Sequence, residues 1–510
     1  MSLPRYLAEL QVEIEGYARE YGLDYFDVIF EMLPYDAINM VAAYGGFPTR
    51  YPHWRFGMEY EKLSKSYTYG LSKIYEMVIN NDPCYAYLLE GNSLVEQKTV
   101  MAHVYAHCDF FKNNFYFRDT NRKMMNEMAN HATRVRRYMS RHGVDAVENF
   151  IDTCLSLENL IDLHAANIRR RPAARPRSDE DEPDSPPPSE VGRLPVGRKY
   201  LETYINPAEY IEQQKRKLAE ERKKARRFPP EPERDVLLFL MEHAPLKRYQ
   251  RDLMGIVREE AYYLAPQGQT KIMNEGWATY WHSTIMTQRA LTDAEVIDFA
   301  DSNSATLGGG SRQLNPYKLG LELYRSIEER WNKGRFGKEY AECEDMGRKR
   351  TWDRHLGLGR DKIFEVRRLH NDVTFIDEFM DADFCIEKKL FGFDYDKRRK
   401  QWVISTREFE QIKRKLLFSL TNFGQPLIEV IDSNHANRGE LLLAHRHEGI
   451  DLDMDWAQPT MEALHHVWTR PVLVRTQFED EPRLLRYDGQ EHSQEKVSDD
   501  GASAPPQDER

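Results

Sequence analysis

Cysteine is scarce in this 510-residue chain: five are scattered at Cys84, Cys108, Cys154, Cys343 and Cys385, odd in number and without a C-x-x-C pair. A disulfide framework is therefore not expected, and reduced thiols are. Long apolar runs are also missing. None approaches the about 18 residues that a membrane span needs. Basic charge is not in excess, because 72 Lys and Arg stand against 83 Asp and Glu, for a net charge of −11. That balance removes any general attraction to nucleic acid or to an anionic membrane surface. The opening stretch, "MSLPRYLAELQVEIEGYARE", alternates apolar and acidic residues and has no basic segment followed by an apolar one. A secretory signal is not expected there. These absences together predict a cytoplasmic protein with no membrane span and no nucleic-acid partner.

Hydrophobic residues are ample at 41%, and aromatics are many, with 28 Tyr, 23 Phe and 8 Trp. The length predicts several domains, at roughly 100–200 residues each. Residues 1–168 read mostly as helices. Leu7, Leu10, Ile14, Tyr17 and Tyr21 form one apolar stripe that Gly22 ends. "DYFDVIFEMLPYDAINMVAAYGGFP" reads as a helix broken before Pro34, a second helix and a turn, and "YEKLSKSYTYGLSKIYEMVINND" as a further helix. "PCYAYLLEGNS" breaks the period and predicts one short strand, Cys84 to Leu89. Ser93 and Glu96 then form the capping-box pattern that opens a long helix.

Residues 169–233 hold a proline-rich, charge-blocked linker and a highly charged helix. Helical periodicity resumes over 234–355, where Asn315 and Pro316 mark a helix start. Residues 360–487 mix short β-branched runs with the helical "TREFEQIKRKLLFSL" and predict a small α+β domain. Residues 488–510 read as a polar, disordered tail. The "LGGGS" run at 307–311 lacks the Lys-Ser/Thr of a phosphate loop, so a plain loop is expected. His445 and His447 share a predicted strand face, where polar surface histidines are the simpler reading.

The chemistry-bearing pattern lies in "HVYAHCDFFKNN" and "NEGWATYWH". Residues four apart on a helix share a face, so His103 and His107 project together with Cβ atoms about 6 Å apart. That separation suits two imidazoles on one zinc ion. Glu275 is the candidate third ligand, and His282 follows two turns later on the same face. H-x-x-x-H spacing alone also arises by chance, and Trp277, Tyr280 and Trp281 read as core aromatics. Order adds specificity: a strand, H-x-x-x-H, E-G-W-A, then "NPYKLG" with Tyr317 placed to support an oxyanion. Val104 stands where an H-E-x-x-H enzyme carries the glutamate that takes a proton from water, and Val cannot do that. Glu96 lies too far along the helix to replace it, Asp109 points to another face, and Glu90 or His282 are left as candidates from other elements.

"YLLEGNSLVEQKTVMAHVYAHCDFFKNN", "MNEGWATYWH" and "LNPYKLGLELYRSIEERW" resemble the stage V sporulation protein R family, SpoVR-like proteins. The resemblance spans both halves of the chain, and the proline-rich insert at 169–195 and the tail after 488 look like additions. It implies a cytoplasmic bacterial protein linked by name to spore cortex formation. Relatives in bacteria that form no spores imply a stress role, beside a PrkA-type serine protein kinase and a von Willebrand factor A-like protein as partners. No settled activity comes with the family. A weaker similarity to zinc peptidases of the gluzincin type rests on the motif order.

The fold expected is mainly α: a zincin-like helical core with a short edge strand, built from 1–168 and 234–355, plus the small α+β C-terminal domain. The leading functional expectation is a zinc-dependent hydrolase of peptide or amide bonds. His103, His107 and Glu275 would hold zinc or another divalent transition metal, with His282 and Tyr317 assisting. The rival is a non-catalytic regulatory or scaffold protein on a degenerate peptidase fold, acting with the kinase and the von Willebrand factor A-like protein.

Overall fold

The two helices that carry the histidine and glutamate motifs have apolar residues on more than one face, which suits the inside of a core better than its surface. In the computed structural model, which describes residues 3–68, 74–168, 207, 209–213, 215–216, 227–308, 314–396 and 399–497, both are central. The chain divides into two compact units: Met1–Asn149 with Glu259–Gln425, and Phe150–Arg258 with Pro426–Arg510. The molecule is mainly helical, with small sheets. No helix among the described residues is long and apolar enough to cross a membrane.

The first unit starts with α1 (Arg5–Glu20), β1 (Val28–Leu33), α2 (Tyr35–Ala43), α3 (Trp54–Thr68), β2 (Glu76–Ile79), β3 (Cys84–Leu89), α4 (Leu94–Asn113) and α5 (Met124–His142). After α6 (Val144–Ser156) and α7 (Val236–His243), α8 (Arg248–Gln269) leads to α9 (Lys271–Ile285), α10 (Val296–Leu307) and α11 (Pro316–Lys333). α12 (Gly359–Leu369) and α13 (Asp372–Phe379) follow, and then β4 (Gly392–Asp396) pairs antiparallel with β5 (Gln401–Thr406). α9 packs against both α4 and α11. The core joins Met101, Val104, Tyr105 and Phe110 of α4 to Trp277 and Trp281 of α9 and to Leu323 and Tyr324 of α11.

Three expectations need correction here. The stretch read as a helix before Pro34 contains β1, and the stretch read as helical after Tyr60 ends its helix at Thr68 and then forms β2. Short apolar runs such as "VIFEML" and "EMVI" fit either state locally, and pairing with β3 decides them. β3 occupies 84–89 as predicted, but it is no edge strand. It sits in the middle of a β1-β3-β2 sheet, parallel to β1 and antiparallel to β2. Its almost unbroken burial, from Ala86 to Leu89, is what a strand covered on both sides requires. Third, residues 359–425 pack in the first unit. Ile363, Val366, Phe375 and Phe379 belong to its core, so the boundary read near residue 360 does not coincide with this division.

The second unit carries the strands β6 (Ile428–His435), β7 (Glu440–His445), β8 (Val472–Phe478), β9 (Glu481–Tyr487) and β10 (His492–Lys496). They form a five-stranded sheet in the order β10-β9-β8-β7-β6. β10 lies within the stretch read as a disordered tail. Its side chains are mostly exposed, but its backbone pairs antiparallel with β9, and that pairing needs no apolar sequence. The proline-rich 169–195, most of the charged helix before 227, the glycines at 309–310 and residues 498–510 lie outside the described residues.

Candidate metal centre

Local signals place each donor. Ser93 Oγ accepts from the Glu96 amide at 3.3 Å, and Glu96 Oε2 accepts from the Ser93 amide at 2.7 Å, so the capping box fixes the start of α4. His103 and His107 follow on one face. α9 is anchored by Asp372, whose carboxylate accepts from the amides of Ile272 at 2.8 Å and Met273 at 2.9 Å. Asp372 is 1% exposed, and it answers two of the amides that any helix start leaves unpaired. The glycines of E-G-W-A and Y-K-L-G meet where α9 crosses α11. A Cβ at Gly276 would overlap the Gly320 backbone, and one at Gly320 would overlap the Ile272 carbonyl. Only glycine permits this approach, and it sets Tyr317 beside Glu275.

His103 Nε2, His107 Nε2 and Glu275 Oε2 converge. The two nitrogens are 2.9 Å apart, and the carboxylate oxygen is 3.7 Å from the first and 3.5 Å from the second. A triangle of those sides has a circumscribed radius of about 2.0 Å, so one ion at zinc's typical ~2.0–2.2 Å bond lengths reaches all three atoms. Glu275 Oε2 is buried and has no hydrogen-bond partner among the described residues. A buried carboxylate oxygen without a partner is costly, and a cation resolves it.

The far sides of both rings are committed. His107 Nδ1 lies 2.9 Å from Asn274 Oδ1, which can only accept, so Nδ1 carries the hydrogen and Nε2 presents its lone pair. His103 Nδ1 lies 2.9 Å from His282 Nδ1, and His282 Nε2 lies 3.3 Å from Asn303 Oδ1. If Asn303 accepts from His282 Nε2–H, His282 Nδ1 accepts from His103 Nδ1–H, and His103 Nε2 is also left with a lone pair. Burial lowers the His282 pKa to about 3, which keeps that ring neutral and able to accept. Two lone pairs 2.9 Å apart need either a shared proton or a metal cation between them. Burial opposes charge on His107, but the Glu275 carboxylate outweighs it and raises the pKa. Glu275 is held well below the usual carboxylate range: burial pushes its pKa up, and the two imidazoles overcome that.

The family model for SpoVR like protein matches residues 3–425. This chain belongs to the SpoVR-like family. The match ends at the residue where the second segment of the first unit ends. The uncharacterized protein YcgB of Escherichia coli (strain K12) is 29% identical over 500 residues, covering 92% of this chain and 91% of that protein. No solved structure matches the chain.

Around the triad, the SpoVR-like chain assembles more than its motifs announce. Glu76, on β2, places Oε1 3.9 Å from His103 Nε2. From sequence this stretch reads as helical, and the only local signal is the single acid that opens the apolar run in "EMVI". Burial raises the Glu76 pKa, with Glu275 adding to the rise and the two histidines opposing it. About a fifth of each carboxylate side chain, 21% for Glu76 and 20% for Glu275, stays exposed, so the cluster is reached from solvent. Tyr317 stacks on His103 with ring centroids 6.2 Å apart. Burial, then the charges of Glu275 and Glu76, push its hydroxyl well above the usual tyrosine range, so it keeps its proton.

The structure brings His103, His107, Glu275, His282 and Tyr317 together, but His282 stands behind His103 rather than at the open face. Val104 is fully buried in the core. Asp109 points away to Trp277 Nε1 at 2.8 Å and the Asp24 amide at 2.8 Å, and Glu90 is exposed.

Proposed function

We propose that this SpoVR-like protein is a metal-dependent hydrolase of peptide or amide bonds on a zincin-like arrangement, with zinc held by His103, His107 and Glu275. The observation that carries the reading is the ~2.0 Å radius common to three donor atoms, one of them a buried oxygen left without a hydrogen bond among the described residues. Three protein ligands leave coordination positions open, the pattern of catalytic rather than structural zinc. Bound there, zinc supplies Lewis acidity that brings the pKa of water toward neutrality and polarises a carbonyl. Glu76 stands in for the glutamate that Val104 replaces and takes the proton of the attacking water; burial raises its pKa, which strengthens it as a base. The Tyr317 hydroxyl donates to the carbonyl oxygen as that atom gains charge. His282 and Asn303 orient His103, and Asn274 orients His107. The family name implies a link to sporulation, and we place this chemistry in spore cortex formation.

One observation favours the rival reading, a regulatory scaffold working with a PrkA-type serine kinase and a von Willebrand factor A-like protein. The position beside His103 is sealed into the core, so no base can be restored there. Elemental analysis of the purified chain beside His103→Ala and Glu275→Gln tests the metal, and stoichiometric metal surviving both changes refutes it. Turnover of a peptide library tests the enzyme. Glu76→Gln is expected to keep the metal and to lose about 10²–10⁴-fold in rate. A metal-loaded wild type that cleaves nothing but captures the kinase establishes the scaffold instead.

A further inference from the structure

A second group of metal-type donors lies on α5 and α8, with no residue in common with the first. Glu127 and His131 are four apart on α5, and Glu259 faces them from α8; their donor atoms all lie within 4.8 Å of one another. His131 is completely buried. Its Nδ1 lies 3.2 Å from Glu260 Oε1 and its Nε2 lies 3.3 Å from Glu259 Oε2. Glu260 is itself held by Arg50 at 2.7 Å, in a pair whose side chains are 6% and 9% exposed.

We propose that Glu127, His131 and Glu259 bind a divalent transition-metal cation, with Glu260 and Arg50 as the support that orients His131. The argument is the asymmetry around the imidazole. On one side, a buried carboxylate locked by a buried guanidinium accepts the Nδ1 hydrogen. That carboxylate–imidazole relay is the arrangement that fixes a histidine for metal binding and strengthens its other nitrogen as a donor. Burying an ion pair to hold one ring is expensive and unnecessary for packing alone. On the other side, Nε2 meets the Glu259 carboxylate at 3.3 Å, with Glu127 in the same donor group, and both acids are less buried than the ring: Glu127 is half-buried and Glu259 exposed. The ligand spacing is the i, i+4 pair that one helix presents on a single face. Two donors of one ion can span about 4 Å at ~2.1 Å bonds. The donor atoms already lie within 4.8 Å of one another, so bringing them onto one ion needs at most about 1 Å of movement, which the partly exposed glutamates can supply. One imidazole and two carboxylates form a mixed set that suits Mn²⁺, Co²⁺ or Zn²⁺, with water completing the shell. The cation joins the start of α5 to α8 and neutralises acids that otherwise repel.

Equilibrium dialysis of the metal-stripped full chain against Co²⁺ tests this, with Glu127→Gln, Glu259→Gln and Glu275→Gln measured alongside. Both glutamates of this group are open to solvent and Gln keeps their shape, so folding is preserved; far-UV circular dichroism checks it. Glu127→Gln and Glu259→Gln are each expected to weaken one equivalent of Co²⁺ at least tenfold and to leave the equivalent that Glu275→Gln removes. Co²⁺ binding unchanged in both Glu127→Gln and Glu259→Gln overturns the proposal. A chain in which Glu275→Gln changes nothing but these two do keeps this site and rejects the first.

Discussion

Gly320→Ala tests how the site is held. A Cβ at 320 would sit 2.7 Å from Gly276 Cα and closer still to the Ile272 carbonyl oxygen. Non-bonded carbons rest about 3.5 Å apart or more, so α9 and α11 must separate by nearly an ångström. Both obstructing atoms are backbone, and no rotamer change relieves them. Overpacking of this kind costs about 1–3 kcal/mol. α9 also packs against α4, so the displacement is shared and Glu275 moves by about half of it. A functional constellation tolerates about 0.5 Å. The three-donor circle stands at the short end of zinc's ~2.0–2.2 Å range, so only about 0.2 Å of added radius is available before the donors leave common reach. Urea unfolding and Co²⁺ titration are the assays. The expected result is a lower unfolding midpoint together with metal affinity reduced tenfold or more. Gly16→Ala is the control: it lies inside α1 with nothing within 4 Å of its added carbon, and it should stabilise by about 0.5–1 kcal/mol. If Gly320→Ala unfolds at the same urea concentration as wild type and binds metal as tightly, the account of the crossing is wrong.

Further outcomes follow from other parts of the unit. Asn274→Ala removes the acceptor behind His107, and metal affinity measured by competition with a chelator should fall about 10–100-fold. Burial lifts the Asp109 pKa to about 6, against the pull of Arg367 and its hydrogen bonds, while the unfolded value is about 3.9. The folded chain thus binds the extra proton between those values, and the contribution of Asp109 to stability falls as pH rises from about 4 to 6, by on the order of 2–3 kcal/mol. Denaturant unfolding of wild type and Asp109→Asn across that range should show a slope in the first that is absent from the second. Ser93→Ala deletes the α4 cap and should cost about 1 kcal/mol in the same assay; no change would mean the capping box is idle.

Sequence alone determined what depends on near neighbours. The Ser93–Glu96 cap, the β3 span, the Asn315–Pro316 helix start and the shared face of His103 and His107 are set by contacts within a few residues, where pattern and geometry coincide. Tertiary structure alone decided what depends on distant ones. β1 pairs with β3 across more than fifty residues of chain, and β2 becomes a strand because β3 offers it an edge. That choice turned Glu76 toward His103, and no local periodicity carries it. The same holds for His282, whose helical spacing from Glu275 suggested an open-face role. Only the packing of α4 on α9 set it behind His103, because a side chain's direction follows from its helix while its neighbour follows from the fold.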